Sequence, residues 1–566
     1  MNMKLASDFN LQKKLVNDSV FVIGNVSSVK GKDIVVKVNK DKNLPHLFFE
    51  GKSIKNVSVG LSNYIKILKG FTEIICKVEG EYLEEDRFET SKDYFSEKQR
   101  SNRFLNVSVF GFYDSDGKFQ HGIKEMPLIG SECRLLSREE FEKLHQLSDK
   151  DELSVKLGSL VDEEIQEIRI AAGRLFAGHV GIFGNTGSGK SNTLTRIYTE
   201  LFDSDSLDDA FHKKSKFVVI DFNGEYASED ILSSEKKVYN LDTTIELSEV
   251  DNNNRIPLPE NVLIDVELLS ILAHATEKTQ KPFLNRTINL FAKITSAEDS
   301  LPYFKNNLKL IALRILKLKN KDLAFLCIDR YKQILRIGDD DATFVLPEWH
   351  NTHSYFKCGG DSDYEQITAE QYKDQELYKR ADSYNFPDNA IEKFLDFAHL
   401  QLLYDVLDNR AQDEHIYYAI TKLDSAKKSL QKVLDTSIES HKSREIWGGK
   451  NLIVINLKTS NRDIKKSLPL VILKWLYEEQ KKDYKNNSSL HIIIDEAHNI
   501  LSDASMSESE TWKDYRLETF EEIIKEGRKF GVFLTVASQR PADISPTIIS
   551  QLHNYFIHRL MNENDL

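Results

Sequence analysis

The segment Gly184-Asn185-Thr186-Gly187-Ser188-Gly189-Lys190-Ser191 has the spacing G-x-x-x-x-G-K-[ST], in which each residue type has a task. Gly184, Gly187 and Gly189 let the backbone curl so that successive N–H groups point at a polyphosphate. Lys190 has the reach and charge for the β- and γ-phosphates, and the Ser191 hydroxyl suits Mg²⁺. Far downstream, His491-Ile492-Ile493-Ile494-Asp495-Glu496-Ala497-His498 is an apolar run ending in adjacent carboxylates. Asp495 is suited to hold Mg²⁺ through water, and Glu496 to polarise a water for attack on the γ-phosphate. The simpler alternative is a solvated helix start, where acids are common.

Three further groups carry candidate residues. Asp221-Phe222-Asn223-Gly224-Glu225-Tyr226 follows an apolar strand. Either Glu225 tunes the attacking water or touches a neighbouring subunit, or the segment is an ordinary turn with solvated acids. Gln539, in Ala537-Ser538-Gln539-Arg540-Pro541, is placed to sense the γ-phosphate by a hydrogen bond. Arg528, in Lys525-Glu526-Gly527-Arg528-Lys529-Phe530-Gly531, is either compensation of a helix dipole or an arginine finger for an adjacent subunit.

These residues need strands that end at one edge. His179–Phe183, 216–220, 451–457, 491–494 and 531–537 are continuous apolar runs, the pattern of a parallel sheet covered on both faces. Asn192-Thr193-Leu194-Thr195-Arg196-Ile197-Tyr198 reads as the helix opened by the phosphate loop. Between 265 and 450 strands largely vanish, and 308–318, 391–407 and 416–433 carry apolar residues at helical spacing. That region predicts a helical insertion, with 355–390 as its exposed loop. Residues 1–150 hold short β-branched runs at 21–26, 34–38, 64–68, 72–78 and 106–112, divided by turns such as Asp114-Ser115-Asp116-Gly117. This predicts a small β-barrel or sandwich used for assembly or docking, since it carries no catalytic cluster. The expected fold is α/β: a P-loop core over 160–264 and 451–566, the N-terminal barrel, and the insertion at 265–450.

Composition bounds the rest. The 566 residues are enough for about three to four domains. No apolar run nears the ~18 residues of a membrane span, and Met1–Asp8 lacks the apolar stretch of a signal peptide, so a cytoplasmic location without membrane is expected. Cys76, Cys133, Cys327 and Cys358 show no C-x-x-C spacing. A net charge of −13 argues against a general nucleic-acid coat protein. DNA in a pore remains compatible, because a few basic residues per subunit multiply on assembly.

In their order these motifs resemble the HerA family of hexameric DNA translocases, in the FtsK–HerA branch of RecA-like P-loop ATPases. The resemblance rests on Gly184–Ser191 with Asn192-Thr193, Asp221–Tyr226, Ala275–Leu284, Ile494–His498, Glu526–Gly531 with Ser538–Pro541, and finally His558-Arg559-Leu560 with Asn562–Leu566. It implies ATP and Mg²⁺ as cofactors. Gly184, Asn185, Thr186, Gly187, Ser188, Gly189, Lys190, Ser191 and Asn192 would bind nucleotide, and Ser191 and Asp495 the metal. Glu496 becomes the catalytic acid and Gln539 the sensor, and Arg528 is favoured as the trans-acting arginine. Relatives often place a basic residue before the His of the first strand, where this chain has Gly178-His179, with Arg174 a possible substitute.

The resemblance implies a homohexamer on double-stranded DNA. Beside it would stand an effector, such as a nuclease or sirtuin-like NADase, in bacterial anti-phage defence or DNA-end processing. The alternative is an ATP-switched hexameric scaffold that activates an effector without processive translocation.

Overall fold

The computed structural model describes residues 21–49, 52–57, 63–70, 72–85, 101–114, 117, 119–144, 152–160, 163–204, 209–338, 340–357, 367, 370–435, 445–484, 488–503 and 510–561. The chain divides into two compact units, Met1–Ala171 and Ala172–Leu566. Of the segments singled out in the sequence, Met1–Asp8, Ser115-Asp116 of one turn, Cys358 with the rest of 358–366 and 368–369 in the expected loop, and Asn562–Leu566 of the family pattern lie outside the described residues.

In the first unit, Val22–Lys30, Asp33–Val38, Tyr64–Lys69, Thr72–Glu85, Ser101–Tyr113 and Glu132–Leu135 pair antiparallel. Pairing of Asp33–Val38 with Ser101–Tyr113 closes them into a barrel. Alternation explains the closure: Ile34, Val36 and Val38 point inward with Ile23, Ile65, Ile67, Ile74, Val78, Leu105 and Val107. A separate antiparallel hairpin, Ser154–Leu160 with Glu163–Ala171, completes the unit.

The second unit is built on a parallel seven-stranded sheet among the described residues. Its spatial order is Lys236–Asn240, Leu452–Asn456, Ser215–Asp221, the acid strand Ser489–Ile494, the sensor strand Val532–Ser538, the loop strand Val180–Phe183 and Asn554–Ile557. One strand thus separates the loop strand from the acid strand. Because all seven run the same way, Gly184, Asp221, Asp495 and Gln539 emerge together at the carboxyl edge, the usual place for ligands of such sheets. No helix among the described residues is long and apolar enough to cross a membrane.

Lys236–Asn240 and Leu452–Asn456 are neighbours in the sheet, yet over 200 residues of chain run between them. That excursion is mainly helical: Gln280–Thr295, Ser300–Leu316, Lys321–Leu335, Ala390–Leu407 and Asp413–Val433. Ala390–Leu407 is its axis, buried on most of its circumference, with Phe394 and Phe397 against Phe291 and Phe304. Residues 355–390 are not simply an exposed loop. They contain the helix Glu376–Ser383, and Tyr372, Leu377, Ala381 and Tyr384 are buried against the helices. The polar composition hid them, because each buried group stands beside charged or polar residues, as Ala381 does between Arg380 and Asp382.

Two buried histidines are held in neutral form, His491 within the acid strand and His179 just before the loop strand. His491 lies in register between Phe217 and Phe533, stacked on both at 4.5 and 5.2 Å, and burial pushes its pKa down to about 3. His179 is fully buried, accepts a 2.9 Å bond from Leu534 N at Nδ1, and is lowered to about 4, chiefly by burial. The folded chain holds these groups unprotonated while the unfolded chain protonates them below about pH 6.5. Their contribution is therefore complete above about 6.5 and lost as pH falls towards 4 and then 3. At pH 5 the expected cost is about 2 kcal/mol for each. Thermal melting should show stability declining from pH 7 to pH 5, and His491→Phe should flatten the decline. An unchanged slope in that variant would contradict the assignment.

Candidate nucleotide site

The phosphate loop joins the loop strand to the helix Lys190–Phe202. Gly189 is the helix N-cap at φ 98°, a left-handed conformation that glycine adopts without strain. At Gly184 the reason for glycine is space, since a Cβ would lie 2.5 Å from both His558 Cβ and Ser188 Oγ. Gly184 N bonds Ser538 O at 3.3 Å and Asn185 N bonds Arg559 O at 3.1 Å, so neighbouring strands fix both sides of the loop. The first-turn N–H groups of the helix have no intrahelical acceptor, and the Ser188 hydroxyl is buried with no partner among the described residues. Donors of this kind at a helix N-terminus fit an anionic polyphosphate.

Opposite the loop stand the acids. Lys190 Nζ bonds Asp495 Oδ1 at 3.3 Å and Glu496 Oε1 at 3.2 Å, with all three side chains nearly inaccessible to solvent. Gln539 Nε2 donates to the same Glu496 oxygen, and its own carbonyl oxygen accepts from Thr186 Oγ1. One amide thereby ties the phosphate loop to Glu496. Glu496 has φ 48°, uncommon for a side chain with a Cβ and typical of strain kept at working sites. Its second oxygen, Oε2, has no hydrogen bond among the described residues and lies 3.4 Å from His498 Nδ1.

Burial raises the pKa of Asp495, opposed by Lys190 and reinforced by the charges of Glu496 and Glu225. The site therefore carries more negative charge than Lys190 balances, together with hard oxygen donors at Ser191 and Asp495. That donor set fits Mg²⁺, which takes one or two protein oxygens and completes its shell with water and phosphate oxygens.

The turn after Ser215–Asp221 is organised by one carboxylate. Asp221 Oδ1 accepts from the backbone N–H groups of Asn223, Gly224 and Glu225 at 3.2, 2.7 and 3.1 Å, and Oδ2 from Tyr226 at 2.9 Å. Glu225 is exposed and accepts from Asn223 Nδ2 at 3.4 Å. Tyr226 turns inward, 1% exposed, and its hydroxyl donates to Asp495 Oδ2 at 3.2 Å. Burial and the surrounding carboxylates raise its pKa, so the phenol remains a donor.

The structure thus brings together Lys190, Asp495, Glu496, Gln539 and Thr186, with Glu225 near enough for its charge to act on Asp495. Ser191 and Asn192 follow Lys190 in the first turn of the helix. Arg528 does not join them. It precedes the sensor strand at the amino edge of the sheet, opposite the phosphate loop, where its Nη1 lies 2.7 Å from His553 Nε2. Sequence reasoning passed over Thr186 as a partner of Gln539, and also Asp221 and Tyr226. Asp221 had a local signal, an acid heading an Asn-Gly turn. The other two depend on contacts across 269 and 353 residues.

Residues 155–357 match the family model described as Helicase HerA, central domain. That stretch, which carries the phosphate loop and the turn headed by Asp221, is similar to the central domain of HerA helicases. The chain is 25% identical over 442 residues to the DNA double-strand break repair helicase HerA of Sulfurisphaera tokodaii, covering 78% of this chain and 65% of that one. It is 22% identical over 411 residues to the probable helicase MJ1565 of Methanocaldococcus jannaschii, covering 73% and 58%. It therefore spans about three fifths of the length of these two relatives. Among solved structures, VirB4 of Thermoanaerobacter pseudethanolicus aligns with 72% of this chain and 82% of its own, at 12% identity and a TM-score of 0.37.

Proposed function

We propose that this chain is an ATP-hydrolysing motor that assembles as a homohexamer and translocates on or unwinds double-stranded DNA. The observation that carries the hydrolytic part is the buried junction of Lys190, Glu496 and Gln539, which links a phosphate-binding loop directly to a carboxylate base. Ser191 and, through a water, Asp495 are the residues that would hold Mg²⁺, which supplies neutralisation of phosphate charge. Lys190 binds the β- and γ-phosphates, Glu496 accepts the proton of the attacking water, and Gln539 reports the γ-phosphate to the sensor strand.

Arg528 supports the ring. It stands too far round the sheet to serve its own phosphate loop, so an arginine-finger role requires a second copy. The DNA substrate rests on the HerA-type relatives, one of them named a double-strand break repair helicase. An effector partner, a nuclease or sirtuin-like NADase acting in anti-phage defence or DNA-end processing, is part of the same proposal, as is a cytoplasmic location. The barrel of the first unit is the proposed docking module.

The test is mass measurement in solution with ATP and Mg²⁺, combined with Arg528→Ala. Six subunits are expected. The variant should bind ATP normally and lose turnover by about 10³-fold, the usual worth of an arginine finger. A strict monomer at micromolar concentration, or an Arg528→Ala protein with full turnover, would contradict the trans-acting site.

A further inference from the structure

We infer that Tyr226 is a positioning residue for the metal-side carboxylate. It aims Asp495 and so sets the affinity of the site for a divalent cation. The inference rests on the reading of Asp495 as the acid that supports Mg²⁺.

Three observations carry it. First, each Asp495 oxygen has a fixed partner. Oδ1 accepts from Lys190 Nζ and from Glu496 N at 2.9 Å, and Oδ2 accepts from the Tyr226 hydroxyl at 3.2 Å. Lys190 is also the residue that must reach the phosphates, so it cannot be the constant support of Asp495 through a catalytic cycle. The phenol has no second task. Second, Tyr226 is itself immobilised. Its ring is 1% exposed, and its backbone N–H is held at 2.9 Å by Asp221 Oδ2. The same Asp221 carboxylate holds the three preceding N–H groups, so the turn delivers the phenol at a defined height above the acid strand. Third, the geometry leaves lone pairs on Asp495 for a water of the metal shell. A phenol donates one hydrogen bond and leaves the carboxylate charge in place, whereas a second ammonium would neutralise it.

Outer partners that orient metal-binding carboxylates typically change metal affinity by about 10- to 100-fold when removed. Tyr226→Phe deletes the hydroxyl and keeps the ring. The experiment uses the full chain with a fluorescent, non-hydrolysable ATP analogue, titrating Mg²⁺ and reading nucleotide binding at equilibrium, with thermal melting as the control for folding. Asp495→Asn is measured alongside.

The expected result is that Asp495→Asn raises the half-saturating Mg²⁺ concentration strongly. Tyr226→Phe should raise it about tenfold, with metal-independent nucleotide binding unchanged. A role confined to packing would lower the melting temperature without moving the Mg²⁺ midpoint. If Asp495→Asn shifts the midpoint and Tyr226→Phe does not, the positioning role is overturned while the metal assignment stands. If neither shifts it, the metal assignment and the inference fall together.

Discussion

Replacing Glu496 by Gln is expected to lower ATP turnover by about 10²-fold or more while leaving ATP binding nearly intact. The magnitude is that of losing a positioned general base. Gln keeps the shape of Glu and can still accept from Lys190 Nζ and Gln539 Nε2 through its carbonyl oxygen. The loop–acid junction should therefore survive the change. What is lost is the capacity to take a proton. The two measurements that check this are steady-state phosphate release and equilibrium binding of ATP. Near-normal turnover would remove Glu496 from the base position.

Lys190→Ala is expected to fail differently. Lys190 is the cation between two nearly inaccessible carboxylates as well as the residue that meets the phosphates. Removing one partner from a buried charge cluster costs about 3–5 kcal/mol. With the phosphate contact gone as well, ATP affinity should fall by at least about a hundredfold. Asp495 and Glu496 would then face an incoming triphosphate with no ammonium between them, so like-charge repulsion adds to the lost attraction. Binding titration separates the variants: Glu496→Gln holds ATP and stalls, whereas Lys190→Ala does not hold it. Equal ATP affinity in Lys190→Ala and the unaltered chain would contradict this placement of the ammonium.

Much of this site was legible in the sequence because its parts are local. A phosphate loop is eight consecutive residues, and the acids follow an apolar strand whose direction is fixed once the sheet is parallel. The strand core was equally plain: the runs ending at Phe183, Ile220, Ile494 and Ala537 are mostly buried and dominated by apolar residues, with His179, Lys216, His491 and Thr535 the polar exceptions. The edges of the sheet were harder. Lys236–Asn240 and Asn554–Ile557 are short, partly exposed and mixed in character, so their strand state depends on a neighbour rather than on their own pattern.

The same reason hid the support of Asp495. Asp221 could be suspected from its turn, but Tyr226 reads as an ordinary aromatic residue until folding brings it to an acid 269 positions away. Arg528 teaches a related lesson. Its spacing ahead of the sensor strand already placed it at the amino edge of the sheet, on the side away from the phosphates. Position ahead of the strand, rather than residue type, decides that it lies away from the phosphate loop of its own chain.

ATP hydrolysis at this site is proposed to drive movement on duplex DNA. The most direct test is the ATP turnover of the full chain, with Mg²⁺, measured with and without double-stranded DNA at matched ionic strength. Turnover that rises with duplex DNA, and vanishes on both arms in Glu496→Gln, is the predicted result. Turnover indifferent to duplex DNA, or unaffected by Glu496→Gln, would contradict the account.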